Sequence, residues 1–258
     1  DHAMNVRLAQ AAAAVLLLLP LPALAQGAGQ PRERFKHWIG LLEPQAEDAG
    51  YLTARALIEA GRAARAHAPD GKLHLLAIAG DRSTTTSVLR NEGMRRAVRE
   101  AADVVLAQEV YADWSRDKAL EQARWLWQRH PQARLLWAGN DLMAFGAMSA
   151  WEERGGLPGK TAWFSGINTS DEAMAALKSG RLAALAGGHF ITGAWALVMI
   201  HDHHRGRDFA DEGLALERSM FTLFNARTAD TFMARFGERA APVDYRRYSK
   251  VLNPQVRR

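Results

Sequence analysis

Six side chains able to hold a small polar molecule stand just past short apolar runs: Asp81, Asp113, Trp114, Asn140, Asn168 and His189. Arg90 lies in the helix that follows the first run, and it joins the others if the Ser83–Ser87 loop turns the first helical turn inward. A carboxamide both donates and accepts hydrogen bonds, a guanidinium donates through a planar fork, and an indole offers an apolar face with a polar edge. Together these groups suit a neutral polyhydroxylated ligand, with Arg and Asn bonding neighbouring hydroxyls and the indole stacking on a C–H face. Asp81 and Asp113 are also two carboxylates on one edge, the raw material of glycoside hydrolysis. The surrounding turns supply no nucleophile and no distinctive acid, so binding without catalysis is the better reading and no enzyme is expected.

Each of these residues has a plainer use. Arg90 can pair with Glu92 or Asp113 on a helix surface, Trp114 can pack in a core, and Asn140 and Asn168 can cap helices or form turns, the common role of Asn after a strand. His201 and His204 are three apart on an expected helix, but no third ligand accompanies them; a solvated helix end is expected there, and no metal. Trp125, Trp127, Trp137, Trp151 and Trp163 read as core or half-buried packing. GDRSTTT, from Gly80, lacks the spacing of a dinucleotide or P-loop phosphate turn, so no cofactor is expected.

The elements that must position these groups follow from periodicity. The stretch Arg134–Gly156 is the pattern in miniature: Leu135–Ala138 is an apolar run of strand length, Gly139-Asn140-Asp141 breaks it, and Met143, Ala144, Ala147, Met148 and Trp151 then recur at helical spacing. Comparable strand–turn–helix units begin at Leu73, Val104, Ala162 and Leu182, with Ser115 and Ser170 as helix caps. An earlier helix runs from Glu47 to about Ala66, and later ones over Phe190–His204 and from Thr228 or Asp230 to Phe236, with a strand at Met220–Phe224. Strands alternating with helices imply a parallel sheet with right-handed crossovers, so every turn after a strand falls on one edge, where open α/β sheets bind small ligands.

The chain has 258 residues, 48% of them hydrophobic, no cysteine, and a net charge of +5. Disulfides, thiolate chemistry and cysteine-held zinc are excluded, and the positive charge is scattered Arg rather than a nucleic-acid footprint. From Met4, Arg7, the apolar run Ala11–Leu19 and Ala23-Leu24-Ala25 form a signal peptide over 4–25, cleaved near Gln26. An uncleaved anchor is the weaker reading, because the run is short and Pro20 and Pro22 follow it. A soluble periplasmic protein is expected.

The segments GDRSTTTSVLRNEGMRRAV (80–98), YADWSRDKA (111–119), WAGNDLMAFGAM (137–148), FSGINTSDEAM (164–174) and GRLAALAGGHF (180–190) occur in this order. In that order they resemble the type I periplasmic solute-binding proteins of the ribose-binding kind, over about Glu43–Gly206. The tail, with MFTLF and YRRYSKVLNP, is similar to the branch containing the autoinducer-2 receptor. The resemblance implies an α/β, periplasmic-binding-protein-like fold whose two lobes close on a sugar-like solute, delivered to an inner-membrane ABC permease or presented to a membrane sensor kinase. It also implies that Arg90 is the family's ligand-binding Arg, Trp114 its aromatic position and Asn140 its Asn. Asn168 stands where ribose binders carry Asp. Gly188 falls where the family often carries a contacting side chain, making His189 the neighbouring candidate. Family members place most of one lobe before the equivalent of Trp38–Pro44, whereas only Gln26–His37 intervenes here. The resemblance therefore implies one complete parallel-sheet Rossmann-like lobe at 45–188, remnants of a second lobe at 26–44, and a return segment with a basic tail at 189–258. Weakened binding is expected of such a truncated lobe.

Overall fold

The computed structural model describes residues 29–237 and 240–256; the expected signal peptide at 4–25 lies outside them. In chain order the elements are β1 (Leu41–Pro44), α1 (Ala46–Ala63), β2 (Leu73–Ala79), α2 (Thr85–Arg99), β3 (Val104–Tyr111), α3 (Arg116–Arg129), β4 (Leu135–Ala138) and α4 (Asp141–Glu153). They continue with β5 (Trp163–Ile167), α5 (Asp171–Lys178), β6 (Ala184–Gly187), α6 (Ile191–His204), β7 (Ala215–Arg218), β8 (Thr222–Leu223), α7 (Ala226–Phe236) and a 3₁₀ turn, Tyr245–Tyr248. Two compact units result. The larger comprises Pro44–His189 and Ser219–Val243; the smaller comprises the described residues up to Glu43, Phe190–Arg218 and those from Asp244 onward.

The sheet of the larger unit has the order β3-β2-β4-β5-β6-β8. Its first five strands are parallel, while β8 runs antiparallel beside β6, with Ala186 opposite Leu223. Two corrections to the sequence reading follow. The strand at Met220–Phe224 completes the sheet of the larger unit instead of lying outside the 45–188 lobe, and 189–258 is not one return segment, since 219–243 comes back to the larger unit. The reason is local: the run is too short to signal its pairing partner, and its backbone satisfies the open edge of β6 through Phe224 N donating to Leu185 O, 2.8 Å.

Period-two alternation sorts the strands between two cores. Leu73, Leu75, Ala77, Leu135 and Trp137 pack with Leu57, Ile58 and Met94 of α1 and α2. Leu76, Ile78, Leu136 and Ala138 pack with Leu126, Trp127, Met143 and Met148 of α3 and α4 on the other face. Ser115 and Ser170 cap α3 and α5 as expected. Helix α7 begins earlier than expected because Asn225 caps it, its side chain accepting from Thr228 N while Thr228 Oγ1 accepts from Asn225 N, a reciprocal capping box.

The smaller unit is described by itself. It pairs β1 with β7, a strand that Ala215–Arg218 does not announce by alternation. Its core gathers Met199, Phe209 and Leu216, with Ile39, Leu42 and Leu214 against them.

Candidate functional site

The site is built at the carboxyl ends of the parallel strands, beginning with two helices that touch. A Cβ on Gly50 of α1 would overlap the carbonyl oxygen of Arg90, and a Cβ on Gly93 of α2 would overlap that of Glu47. Only two glycines allow so close a crossing, and it seats Arg90 against the sheet.

Arg90 is 4% exposed. Its Nη1 donates to Gly139 O at 2.7 Å, and its Nη2 lies 3.5 Å from His189 Nε2. Its guanidinium carbon lies 5.6 Å from the centroid of Trp114 and 5.7 Å from that of Phe221, within cation–π range of both. Nε of Arg90 is buried without a hydrogen-bond partner among the described residues, as are Thr84 Oγ1 and Ser87 Oγ on the first turns of the same helix. Burial pushes the guanidinium down to about 10, partly opposed by the Asp141 carboxylate, so it remains charged at neutral pH.

Trp114 reaches Arg90 through a tight turn after β3. Asp113 and Trp114 have φ of 49° and 65°, left-handed values uncommon for any residue but glycine. The turn is fixed by Asp113 N donating to Gly80 O (3.1 Å) and Ser115 N donating to Ala112 O (2.8 Å). The indole lies against Gly80, where a Cβ would overlap the ring. Strain of this kind collects at functional sites.

Asn140 is the N-cap of α4: its Oδ1 accepts from Met143 N at 2.8 Å, while its Nδ2 donates to Trp114 O at 3.3 Å. Its plainer role is therefore filled, and the same amide anchors the Trp114 turn. Asn168, with φ 145°, donates from Nδ2 to Asp141 Oδ1 at 2.9 Å, and Ser170 Oγ donates to Asp141 Oδ2 at 2.6 Å. Asp141 is 2% exposed and is the acidic centre of the rim.

His189 stacks on Phe221 with centroids 4.7 Å apart and 28° between planes. Burial first, and then the neighbouring Arg90 charge, push its imidazole down to about 4, so it is neutral at pH 7. The two remaining candidates turn to local work. Asp81 accepts from both the hydroxyl and the backbone N–H of Ser83, which hold its carboxyl below the usual range. Asp113 pairs with Lys118 at 2.7 Å, while Arg90 is directed to Gly139 O and His189 and forms no ion pair with Asp113 or Glu92 among the described residues.

The structure thus links His189, Arg90, Trp114 and Asn140 in one chain of contacts, joined through Asp141 to Asn168, while the carboxylates of Asp81 and Asp113 lie outside that chain. Phe221 is expected only as part of the Met220–Phe224 strand, and its place beside Arg90 and His189 has no signal in the sequence because no periodicity fixes which way that short strand faces. Asp141 reads from sequence as a turn and helix-start residue, and only its burial reveals its part.

Buried, fork-shaped donors and aromatic faces thus gather at the carboxyl edge of the parallel sheet of an α/β lobe. The chain belongs to the family described as the periplasmic binding protein domain, whose profile matches residues 41–208. It is similar to a crystal structure of a periplasmic sugar-binding protein from Pseudomonas fluorescens: 37% identity, TM-score 0.75, 85% of this chain and 66% of that one. It is 33% identical over 73 residues to the D-allose-binding periplasmic protein of Escherichia coli (strain K12), a match spanning 28% of this chain and 24% of that protein. The fold is also shared with an ABC transporter solute-binding protein from Bacillus halodurans C-125 with bound myo-inositol, at 18% identity and TM-score 0.64, covering 77% of this chain and 64% of that one. Two thirds or less of each of these relatives is matched.

Proposed function

We propose that this chain binds a small, neutral, sugar-like solute in the periplasm and presents it to an inner-membrane ABC permease, with no chemical step. The observation carrying the proposal is the guanidinium of Arg90: desolvated, framed by Trp114 and Phe221, with Nε lacking a partner among the described residues. A buried donor without a partner costs about 1–3 kcal/mol, which a solute hydroxyl at that atom would recover. A fixed positive fork between aromatic faces suits vicinal hydroxyls on an apolar ring face. The neutral His189 adds hydrogen-bonding capacity without a second charge. D-allose, which names one relative, and myo-inositol, bound in another, are of this class.

Isothermal titration of the full chain with D-allose, D-ribose and myo-inositol tests the reading. Saturable binding of at least one, lost in Arg90→Ala and in Trp114→Ala, is the expected result. Heat that persists in both variants would overturn the assignment of this rim. The Arg90 rim acting by itself is expected to bind more weakly than micromolar, since a solute enclosed on both sides gains contacts and sheds more water.

A further inference from the structure

We infer that the larger unit carries a second binding site, for a phosphate-bearing small anion, at the end of the sheet opposite the Arg90 rim. An open cavity of about 860 Å³ lies there, among the loop after α1, the loop before β4, the end of α4 and the start of β5. Its volume falls within the range of small-molecule sites.

The lining includes Arg65, Arg134, Arg154 and His67, two indoles, Trp151 and Trp163, and no carboxylate. The nearest acids on α4 are occupied elsewhere: Glu152 pairs with Arg181 and Glu153 with Arg124, each at 2.6 Å. Arg65 and Arg154 have no carboxylate partner among the described residues. Arg134 uses Nη1 on the carbonyls of Pro131 (2.7 Å) and Ala133 (3.0 Å), which fixes its plane. The Trp151 ring is flanked by Arg134 at 5.3 Å and Arg154 at 5.8 Å, and Trp151 is itself held by Nε1 donating to Thr161 Oγ1 at 2.9 Å.

Helices α1 and α4 end at this cavity, and each carboxyl end carries the equivalent of about half a negative charge. Three guanidiniums exceed what two helix ends balance. The excess favours an anion, and planar forks on an oriented indole match phosphate oxygens in pairs. A dissolved phosphoester and a lipid headgroup share this chemistry.

The test uses the full chain, titrated with sodium pyrophosphate at low ionic strength and sedimented with vesicles of phosphatidylglycerol or of phosphatidylcholine. The variant is Arg65→Gln/Arg154→Gln, both exposed side chains; the control, Arg55→Gln/Arg99→Gln, removes equal charge elsewhere. Saturable pyrophosphate binding, weakened roughly tenfold in the first variant and unchanged in the control, is expected for a dissolved ligand. No pyrophosphate binding, but phosphatidylglycerol-dependent sedimentation lost in the first variant only, assigns the anion to a headgroup. Neither signal, or equal loss in both variants, overturns the site. Sugar titration of the same variants shares no side chain with this cavity, so it reports separately on the Arg90 rim.

Discussion

Arg90 sets function against stability at the level of one side chain. A guanidinium at 4% exposure has lost most of its hydration, and its direct hydrogen bond is to a neutral carbonyl, Gly139 O. Replacing such a buried charge by an apolar side chain of similar length is often neutral or stabilising, while the orphaned carbonyl takes back part of the gain. Arg90→Met is therefore expected to change unfolding free energy in urea by no more than about 1 kcal/mol while abolishing sugar binding. Equal loss of both would mean that Arg90 serves the fold. His189 gives a pH signature with a definite sign. Its folded-state value, about 4, lies below the usual 6.5, so the unfolded chain takes up the proton first as pH falls. The contribution is intact above pH 6.5 and is lost between there and pH 4, on the order of 3 kcal/mol. Carboxylates titrate in the same window. The check is therefore the difference between the parent chain and His189→Gln, whose stability should fall less steeply across that interval.

Elements place these side chains, and they differ in how openly the sequence states their placement. The strands β2 and β4 and the helices that follow them are written in period-two and helical spacing, and Ser115, Asn140 and Ser170 mark helix starts that the structure keeps. The crossing of α1 and α2 is not written that way. Gly50 and Gly93 carry no side chain that a spacing pattern could register, yet each is where the other helix's backbone passes, and the passage fixes Arg90. The strand at Met220–Phe224 is legible, but its pairing is not, because a two-residue strand takes its partner from the β6 edge it closes and not from its own residues. The turn at Asp113-Trp114 is half legible: a strand end is plain, but nothing in two non-glycine residues announces left-handed backbone. The close crossing predicts that Gly93→Ala forces α2 off α1, with a loss of about 3 kcal/mol in chemical denaturation and a matching fall in solute affinity as Arg90 shifts. Gly71→Ala provides the contrast: its φ of 76° strains the backbone, but a Cβ there meets open space, so stability should fall modestly and affinity should not change.

At the scale of the whole chain, the two units differ in what holds them. The larger packs apolar side chains on both faces of a six-stranded sheet, whereas the smaller has a three-residue buried cluster with a few partners. Stability from burial grows with the area removed from water, so the smaller unit depends more on polar fastenings. Its principal one is Asp202, fully buried, which accepts from Ser249 Oγ and from Lys250 N (2.7 Å) and so ties the chain after the 3₁₀ turn to α6. The sequence concealed this role, because Asp202 sits among His201, His203 and His204, where a metal or a solvated end are the natural readings. Calorimetric heating should therefore resolve two transitions, the smaller unit melting first. Asp202→Ala should lower only that first transition, by the equivalent of about 2–3 kcal/mol, because Ser249 Oγ, Lys250 N and Val251 N lose a buried acceptor at once. A saturating sugar should raise the second transition, since every side chain assigned to the Arg90 rim lies in the larger unit and ligand stabilises whatever structure must be intact to bind it. A single transition that moves as one with Asp202→Ala and with sugar would show that the units unfold together, and the tail's fastening would then act on the stability of the entire chain.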